Sequence, residues 1–252
     1  FLLLGFCLRN LDRVKKLRWP AAIGAVALLG ATALLAESIF GAKNWLFIFG
    51  VSVQPSEFVK LAFIFAGGAT LDRLFARRNI ILFIGLAGAC VGALALMGDF
   101  GTAIIFFAGY LVIAFLRSGD LKTVVLSIAA AGFAGFLALT VKPYIAQRFA
   151  SWGRAWEYVN EAGYQQTRAM MCVASGGLFG LGPGKGMLQN IFAADSDIVF
   201  ATISEEWGLI MAVLSVACIV SLAFFSIRTA QLARSAFYSI GACTAAGILV
   251  VQ

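Results

Sequence analysis

Ile80-Ile81-Leu82-Phe83-Ile84-Gly85-Leu86-Ala87-Gly88-Ala89-Cys90-Val91-Gly92-Ala93-Leu94-Ala95-Leu96-Met97 contains no charged residue. About 20 apolar residues cross a bilayer as a helix, so this run reads as a membrane span. Basic residues, Arg77 and Arg78, precede it, and the polar turn Gly98-Asp99 follows it. Working outward, similar runs occur at Phe1–Leu8 (the tail of a helix), Trp19–Leu35, Ser56–Leu74, Gly101–Leu116, Leu121–Val141, Phe200–Ile227 and Phe237–Gln252. The expected fold class is therefore all-α: a polytopic transmembrane helical bundle, because backbone at membrane depth must satisfy its own hydrogen bonds. The expected organisation is a single membrane domain over residues 1–252, with one long extracellular re-entrant loop at about 142–199.

Composition agrees. The chain is 62% hydrophobic and only 12% charged, with a mean hydropathy of +0.95. A soluble domain carries roughly 25% charged residues. The chain opens at Phe1 within one apolar run and stops at Gln252 within another, so it is expected to be the middle of a longer protein. The cysteines Cys7, Cys90, Cys172, Cys218 and Cys243 show no CxxC spacing and read as bland buried thiols. With no histidine in the sequence, a histidine-based triad or metal site cannot be built from this chain.

The net charge of +7 is explained by topology. Arg9, Arg13, Lys15, Lys16 and Arg18 share one loop. Counting two spans onward each time, Arg73, Arg77 and Arg78 fall on the same side, then Arg117 with Lys122, then Arg228 with Arg234. The positive-inside rule places these loops in the cytoplasm, and no nucleic-acid partner is expected. The opposite face carries Ala36–Pro55, the turn at Gly98–Gly101 and the long segment Lys142–Val199. Loops of that length are usually functional. Gly88 and Gly92 have the GxxxG spacing that permits close helix packing.

Several motifs carry possible chemistry. Gln54-Pro55-Ser56-Glu57-Phe58-Val59-Lys60-Leu61 reads as a helix start, with Pro55 early and Glu57 in the positive first turn. Glu57 and Lys60 are three apart and can pair on one face. They form either a structural ion pair or the polar wall of a substrate cavity. Asp99 is either an N-cap or a cavity acid.

The glycine-rich run Ser175-Gly176-Gly177-Leu178-Phe179-Gly180-Leu181-Gly182, continuing through Gly184 and Gly186, is not a P-loop. Phe179 stands five residues before Gly184, and Gly186 follows Lys185 where Ser or Thr is required. It reads as a sharp re-entrant turn whose amides, with Lys185, could also hold an anion. Asp195, Asp197, Glu205 and Glu206 follow closely. If Asp197 opens a helix, Ala201 and Glu205 share its face. These acids either hold Mg²⁺ through water or simply stabilise a helix N-terminus. The stretch Trp152 to Gln166 mixes rings, acids and amides. It suits either sugar stacking or an interfacial aromatic belt.

Taken together, Gln54-Pro55-Ser56-Glu57 with Lys60, Asp99-Phe100-Gly101-Thr102, Gly163-Tyr164-Gln165, Ser175–Gly180, and Asp197-Ile198-Val199-Phe200 with Glu205-Glu206 resemble the SEDS family. These are the bacterial shape, elongation, division and sporulation membrane proteins. The resemblance implies about ten transmembrane helices in the bacterial cytoplasmic membrane. It implies peptidoglycan glycosyltransferase activity on lipid II in division, elongation or sporulation, a class B penicillin-binding protein as partner, and a divalent cation, Mg or Mn. The family keeps its catalytic Asp a few residues before Gly-Tyr-Gln. Tyr158 takes that position here, with Glu157 one residue away and Glu161 three. The family's Pro-Glu-Ala-His-Thr-Asp segment is shortened to Ala193-Ala194-Asp195-Ser196-Asp197.

The resulting expectation is an inverting glycosyl transfer with Glu157 or Glu161 as general base. Glu57, Lys60, Gln165, Asp197 and Glu205 would shape the substrate site. Lys60, Arg148, Lys185 or a metal ion would offset the charge of the departing diphosphate. Two other readings stand beside it. A flippase for the lipid-linked precursor would use the intramembrane polar residues without needing the loop carboxylates. An inactive division or elongation scaffold would account for Tyr158.

Overall fold

The computed structural model describes residues 15–36, 43–48, 51–71, 77–141, 153–161, 163–191, 194–233 and 235–252. The expected helix tail at Phe1–Leu8 lies outside them, as does Arg148. The helices are α1 (Arg18–Leu35), α2 (Pro55–Leu71), α3 (Arg77–Leu96), α4 (Phe100–Ser118), α5 (Leu121–Val141), α6 (Tyr164–Gly176), α7 (Ala194–Asp197), α8 (Val199–Gln231) and α9 (Ala236–Val251). Among the described residues, four stretches are long and apolar enough to cross a membrane: Arg18–Leu35, Asn79–Leu96, Phe100–Ser118 and Val199–Gln231. The apolar helices Leu121–Phe136 and Ala236–Val251 are shorter. The chain is a multi-pass helical membrane protein.

The structure falls into two compact units, Phe1–Val125 with Leu222–Gln252, and Leu126–Ser221. In the first, α2 packs on α1, α4 packs on α3, and α9 packs on both α2 and α4. Its core centres on Phe63 of α2, whose ring lies 5.4 Å from Phe83 and 5.3 Å from Phe106. Leu29, Cys90, Leu94, Tyr110 and Ile113 complete it. Close approach is set by glycines that leave room for neighbouring side chains. A Cβ on Gly67 would stand 2.7 Å from Ile113 Cδ1, and one on Gly109 3.1 Å from Ile248 Cδ1. The expected GxxxG contact is not made: Cβ atoms on Gly88 and Gly92 would meet open space. A stripe of small residues permits contact on its face without requiring it. The neighbours of α3 pack instead on the face carrying Phe83, Ala87, Cys90 and Leu94.

Three of the basic segments meet at one end of this unit. Arg18 donates to the Ala69 carbonyl at 3.2 Å, late in α2. The Lys15 ammonium lies 5.0 Å over the Phe237 ring, early in α9. Phe65 also meets Phe237 edge-on at 5.9 Å.

Elsewhere in the unit, the Lys43 N–H donates to the Met97 carbonyl at 2.9 Å. Asp99 caps α4, accepting from the Thr102 N–H at 3.1 Å and the Thr102 hydroxyl at 2.9 Å. Its other contact, Asn44 Nδ2 at 3.0 Å, ties the cap to the segment before α2. That segment contains an element the sequence reading left out, an antiparallel hairpin of β1 (Leu46–Ile48) and β2 (Val51–Val53), with Phe47 opposite Ser52.

Candidate functional site

The polar wall of the bundle begins where α2 begins. Pro55 is its first residue and Glu57 lies in its first turn, where a negative charge complements the helix dipole. One turn on, Lys60 Nζ meets Glu57 Oε1 at 2.8 Å. Lys60 is 5% exposed, whereas the Glu57 side chain is 49% exposed. The pair therefore joins a buried cation to a half-exposed carboxylate. Lys60 Nζ also donates to Gln252 Oε1 at 2.8 Å. Among the residues of α2, Ser56 is 3% exposed, and its Oγ has no hydrogen-bond partner among the described residues. Burying an ammonium costs several kcal/mol unless it is paired and hydrogen-bonded, and here two oxygens meet that requirement.

The glycine-rich loop solves a different problem. Within α8, Gly208 has φ 81° and ψ 174°, a conformation open to glycine and costly for other residues. The break orphans carbonyls before it and amides after it. The loop satisfies both sets. Leu181 N–H donates to the Glu205 carbonyl at 2.9 Å and Gly182 N–H to the Glu206 carbonyl at 3.0 Å. In return, Leu209 N–H donates to the Gly177 carbonyl at 2.9 Å and Ile210 N–H to the Leu178 carbonyl at 3.4 Å. Backbone is threaded so tightly into the break that a Cβ on Gly180 would overlap the Glu206 carbonyl, and one on Gly208 the Leu178 carbonyl. Irregular backbone at membrane depth is tolerated where protein satisfies it in this way.

Glu205 secures the far side of the loop. It is 1% exposed and accepts from the Met187 N–H at 2.9 Å and the Leu188 N–H at 3.1 Å. A Cβ on Gly186 would stand 2.7 Å from Glu205 Oε2. Cys172 of α6 lies near this carboxylate, and burial first, then the charge and hydrogen-bonding capacity of Glu205, push its thiol pKa up. Leu188, Ala194 and Ala201 form the small core beneath, with Cys172 and Val173 packed on it.

Asp197 differs from the sequence expectation. It ends α7 rather than opening α8. The first carbonyl of the helix that follows belongs to Ile198, which accepts from Ala201 N–H at 2.9 Å and Thr202 N–H at 3.1 Å. Asp197 is exposed, while Ala201 and Glu205 are buried, so the three do not form one acidic face.

The remaining candidates lie on exposed loop structure in the second unit. Glu157 belongs to the 3-10 turn Ala155–Tyr158. It meets Arg154 at 3.7 Å, both side chains being about 60% exposed (62% and 61%). Glu161 is exposed, and its N–H donates to the Tyr158 carbonyl at 3.0 Å. Gly163 N–H bonds the same carbonyl at 3.0 Å, and a Cβ at Gly163 would overlap the Ala155 carbonyl. This knot delivers the chain into α6, where Gln165 is half-buried in the first turn. Trp156 and Tyr164 are exposed, and the Arg168 guanidinium lies 5.4 Å over the Tyr164 ring. Lys185 is exposed on the glycine loop.

Among the described residues, no three Asp, Glu or Cys side chains converge on a point where a metal ion could be held. Gln252 and Asn44 were not singled out in the sequence. A lone amide at a helix end carries no signal until its long-range partner is known.

Membrane-length helices around a buried, paired ammonium define a multi-pass membrane protein with a polar site inside its bundle. The FtsW/RodA/SpoVE cell cycle protein family matches residues 1–252, and the chain belongs to that family. It is 29% identical to the probable peptidoglycan glycosyltransferase FtsW of Borreliella burgdorferi, over 80% of this chain and 57% of that protein. It is 27% identical to the peptidoglycan glycosyltransferase RodA of Mycobacterium leprae, over 100% of this chain and 57% of that one. The chain thus spans less than two thirds of these relatives. In structure it resembles a chain of a peptidoglycan synthase complex that coordinates polymerization and crosslinking, with TM-score 0.75, 22% identity, and coverage of 98% of this chain and 71% of that one.

Proposed function

We propose that this protein is a peptidoglycan glycosyltransferase that polymerises lipid II at the outer face of the bacterial cytoplasmic membrane. The observation that carries the reading is the buried Lys60 ammonium, paired with Glu57 at 2.8 Å, in a chain whose relatives bear that name. An ionisable group inside a membrane bundle is costly and marks function by default. A cation there complements the diphosphate of a lipid-linked sugar.

The reaction is an inverting transfer. A loop carboxylate takes the proton from the acceptor sugar hydroxyl, whose oxygen attacks the anomeric carbon of the second lipid-linked sugar. The new glycosidic bond forms as the bond to the diphosphate breaks, and the diphosphate departs on its lipid carrier. Glu157 and Glu161 are the carboxylates nearest Tyr158 in sequence, and both are exposed. We assign the base to this pair, with Glu157 preferred. A class B penicillin-binding protein is the proposed partner.

The test uses the full-length protein purified with and without that partner and supplied with labelled lipid II and Mg²⁺ or Mn²⁺. Glycan strands are expected, and loss of the base in Glu157→Gln or Glu161→Gln is expected to slow the reaction by about 10²–10⁴-fold. Wild-type rates in both variants would remove the base assignment. A second reading, an inactive scaffold, is favoured by Tyr158. It takes over if the wild-type protein makes no polymer under conditions where a close relative does.

A further inference from the structure

We propose that Gln252 is a positioning residue of this site. Its amide oxygen and the Glu57 carboxylate together fix the Lys60 ammonium, leaving the third N–H for a diphosphate oxygen of the lipid-linked sugar. The inference rests on the transferase reading above and adds to it the residue that aims the cation.

Lys60 Nζ lies 2.8 Å from Glu57 Oε1 and 2.8 Å from Gln252 Oε1. An ammonium has three donors and no acceptor, so two of its hydrogens are engaged. Lysine is a point charge on a flexible four-carbon stem. One partner on its own helix leaves that stem free to turn. A second partner, at the C-cap of α9, a helix that packs on α2, fixes its direction. The chemistry of the second acceptor matters. A glutamine oxygen orients the ammonium without adding a negative charge that would repel a diphosphate.

The wall also retains hydrogen-bonding capacity. Ser56 precedes Lys60 by one helical turn and so shares its face. Its hydroxyl is buried without a partner among the described residues. A purely structural polar network closes on itself, because an unpaired buried group is costly. A hydroxyl left open beside an oriented ammonium is what a ligand oxygen satisfies.

The test is a double-mutant cycle in the full-length protein with its partner, using Gln252→Met, Lys60→Met and the double variant. Polymerisation rate and retention of labelled lipid II are both read as functions of lipid II concentration, and thermal stability is measured in parallel. Loss of one bond to a charged group is expected to lower kcat/KM of Gln252→Met by about 10- to 100-fold. The double variant should be no worse than Lys60→Met, because Gln252 acts through Lys60. If Gln252→Met does not accumulate, Gln252→Asn, which keeps the amide but draws its oxygen back by one methylene, enters the same cycle.

Wild-type kinetics in the glutamine variant, or losses that simply add in the double variant, would overturn the proposal while leaving the transferase reading intact. Loss of thermal stability with no change in kcat/KM would reduce Gln252 to a packing residue and would also overturn it. If no variant or wild-type protein polymerises, yet lipid II retention shows the same non-additive loss, the positioning role stands and the transferase reading falls.

Discussion

At the residue scale, glycines of similar appearance in the sequence do opposite things. Gly208 holds φ 81°, and a Cβ there would overlap the Leu178 carbonyl. Gly208→Ala is expected to cost at least the 1–2 kcal/mol of a left-handed non-glycine residue, read as a lower thermal midpoint and faster proteolysis within residues 177–186. Gly92, in the middle of α3, meets open space. Gly92→Ala should be neutral or stabilise by about 0.5–1 kcal/mol. Equal losses in the two variants would refute this account of the helix break. Cys172 offers a chemical probe of the same structure. Its thiol pKa is raised by burial first and by Glu205 second. The thiolate is the reactive species, so its alkylation should rise at higher pH than that of a free thiol. Glu205→Gln removes the negative charge and should shift that rise to lower pH. An unchanged profile in maleimide kinetics would show that Glu205 does not act on the thiol.

At the element scale, α2 combines a helix start, a core face and a charged site in one segment. Pro55 and Glu57 announce the start, and the three-residue spacing of Glu57 and Lys60 made their pairing legible without a structure. Its partner Gln252 was not legible, because a contact across 192 positions leaves no trace in local pattern. The same limit applied to the glycine loop. Its composition showed a sharp turn, but only the position of Gly208 in space reveals that the turn repairs a broken helix. Local chemistry also misled where it was ambiguous: the acids at Asp195 and Asp197 resembled a helix N-terminus, yet the carbonyl ladder of α8 starts at Ile198. The pair on α2 makes its own prediction. Glu57→Ala strands a buried ammonium on one neutral acceptor. Removing one partner of a fully buried pair costs about 3–5 kcal/mol, and a smaller loss of about 1–3 kcal/mol is expected because Glu57 is half exposed. The double replacement Glu57→Gln, Lys60→Met should recover much of that loss, measured by scanning fluorimetry, while abolishing function. Additive destabilisation in the double variant would contradict an ion pair.

At the scale of the whole molecule, charge distribution and function constrain each other. The spans were legible because a bilayer imposes one length and one polarity on every helix that crosses it. The predicted limits Trp19–Leu35 and Ile80–Met97 lie within a few residues of α1 and α3. Three basic segments meet at one end of the first unit through Arg18, Lys15 and Phe237, as their spacing by pairs of spans requires. The positive-inside rule then turns that end toward the cytoplasm. In sequence, the loop bearing Glu157, Glu161 and Lys185 follows one further apolar helix, α5, so the same rule predicts the outer side for it, the side of the proposed polymerisation. Cysteine accessibility in intact cells checks this chain of reasoning. A cysteine at Lys16 or Arg77 should be shielded from a membrane-impermeant maleimide and become reactive only after permeabilisation. One at Asn160, exposed beside Glu161, should react in intact cells. The native cysteines set the background and are replaced by serine where they label. Reaction at Lys16 with protection at Asn160 would invert the protein in the membrane. The candidate base would then face the cytoplasm, and chemistry at the outer surface would have to be abandoned.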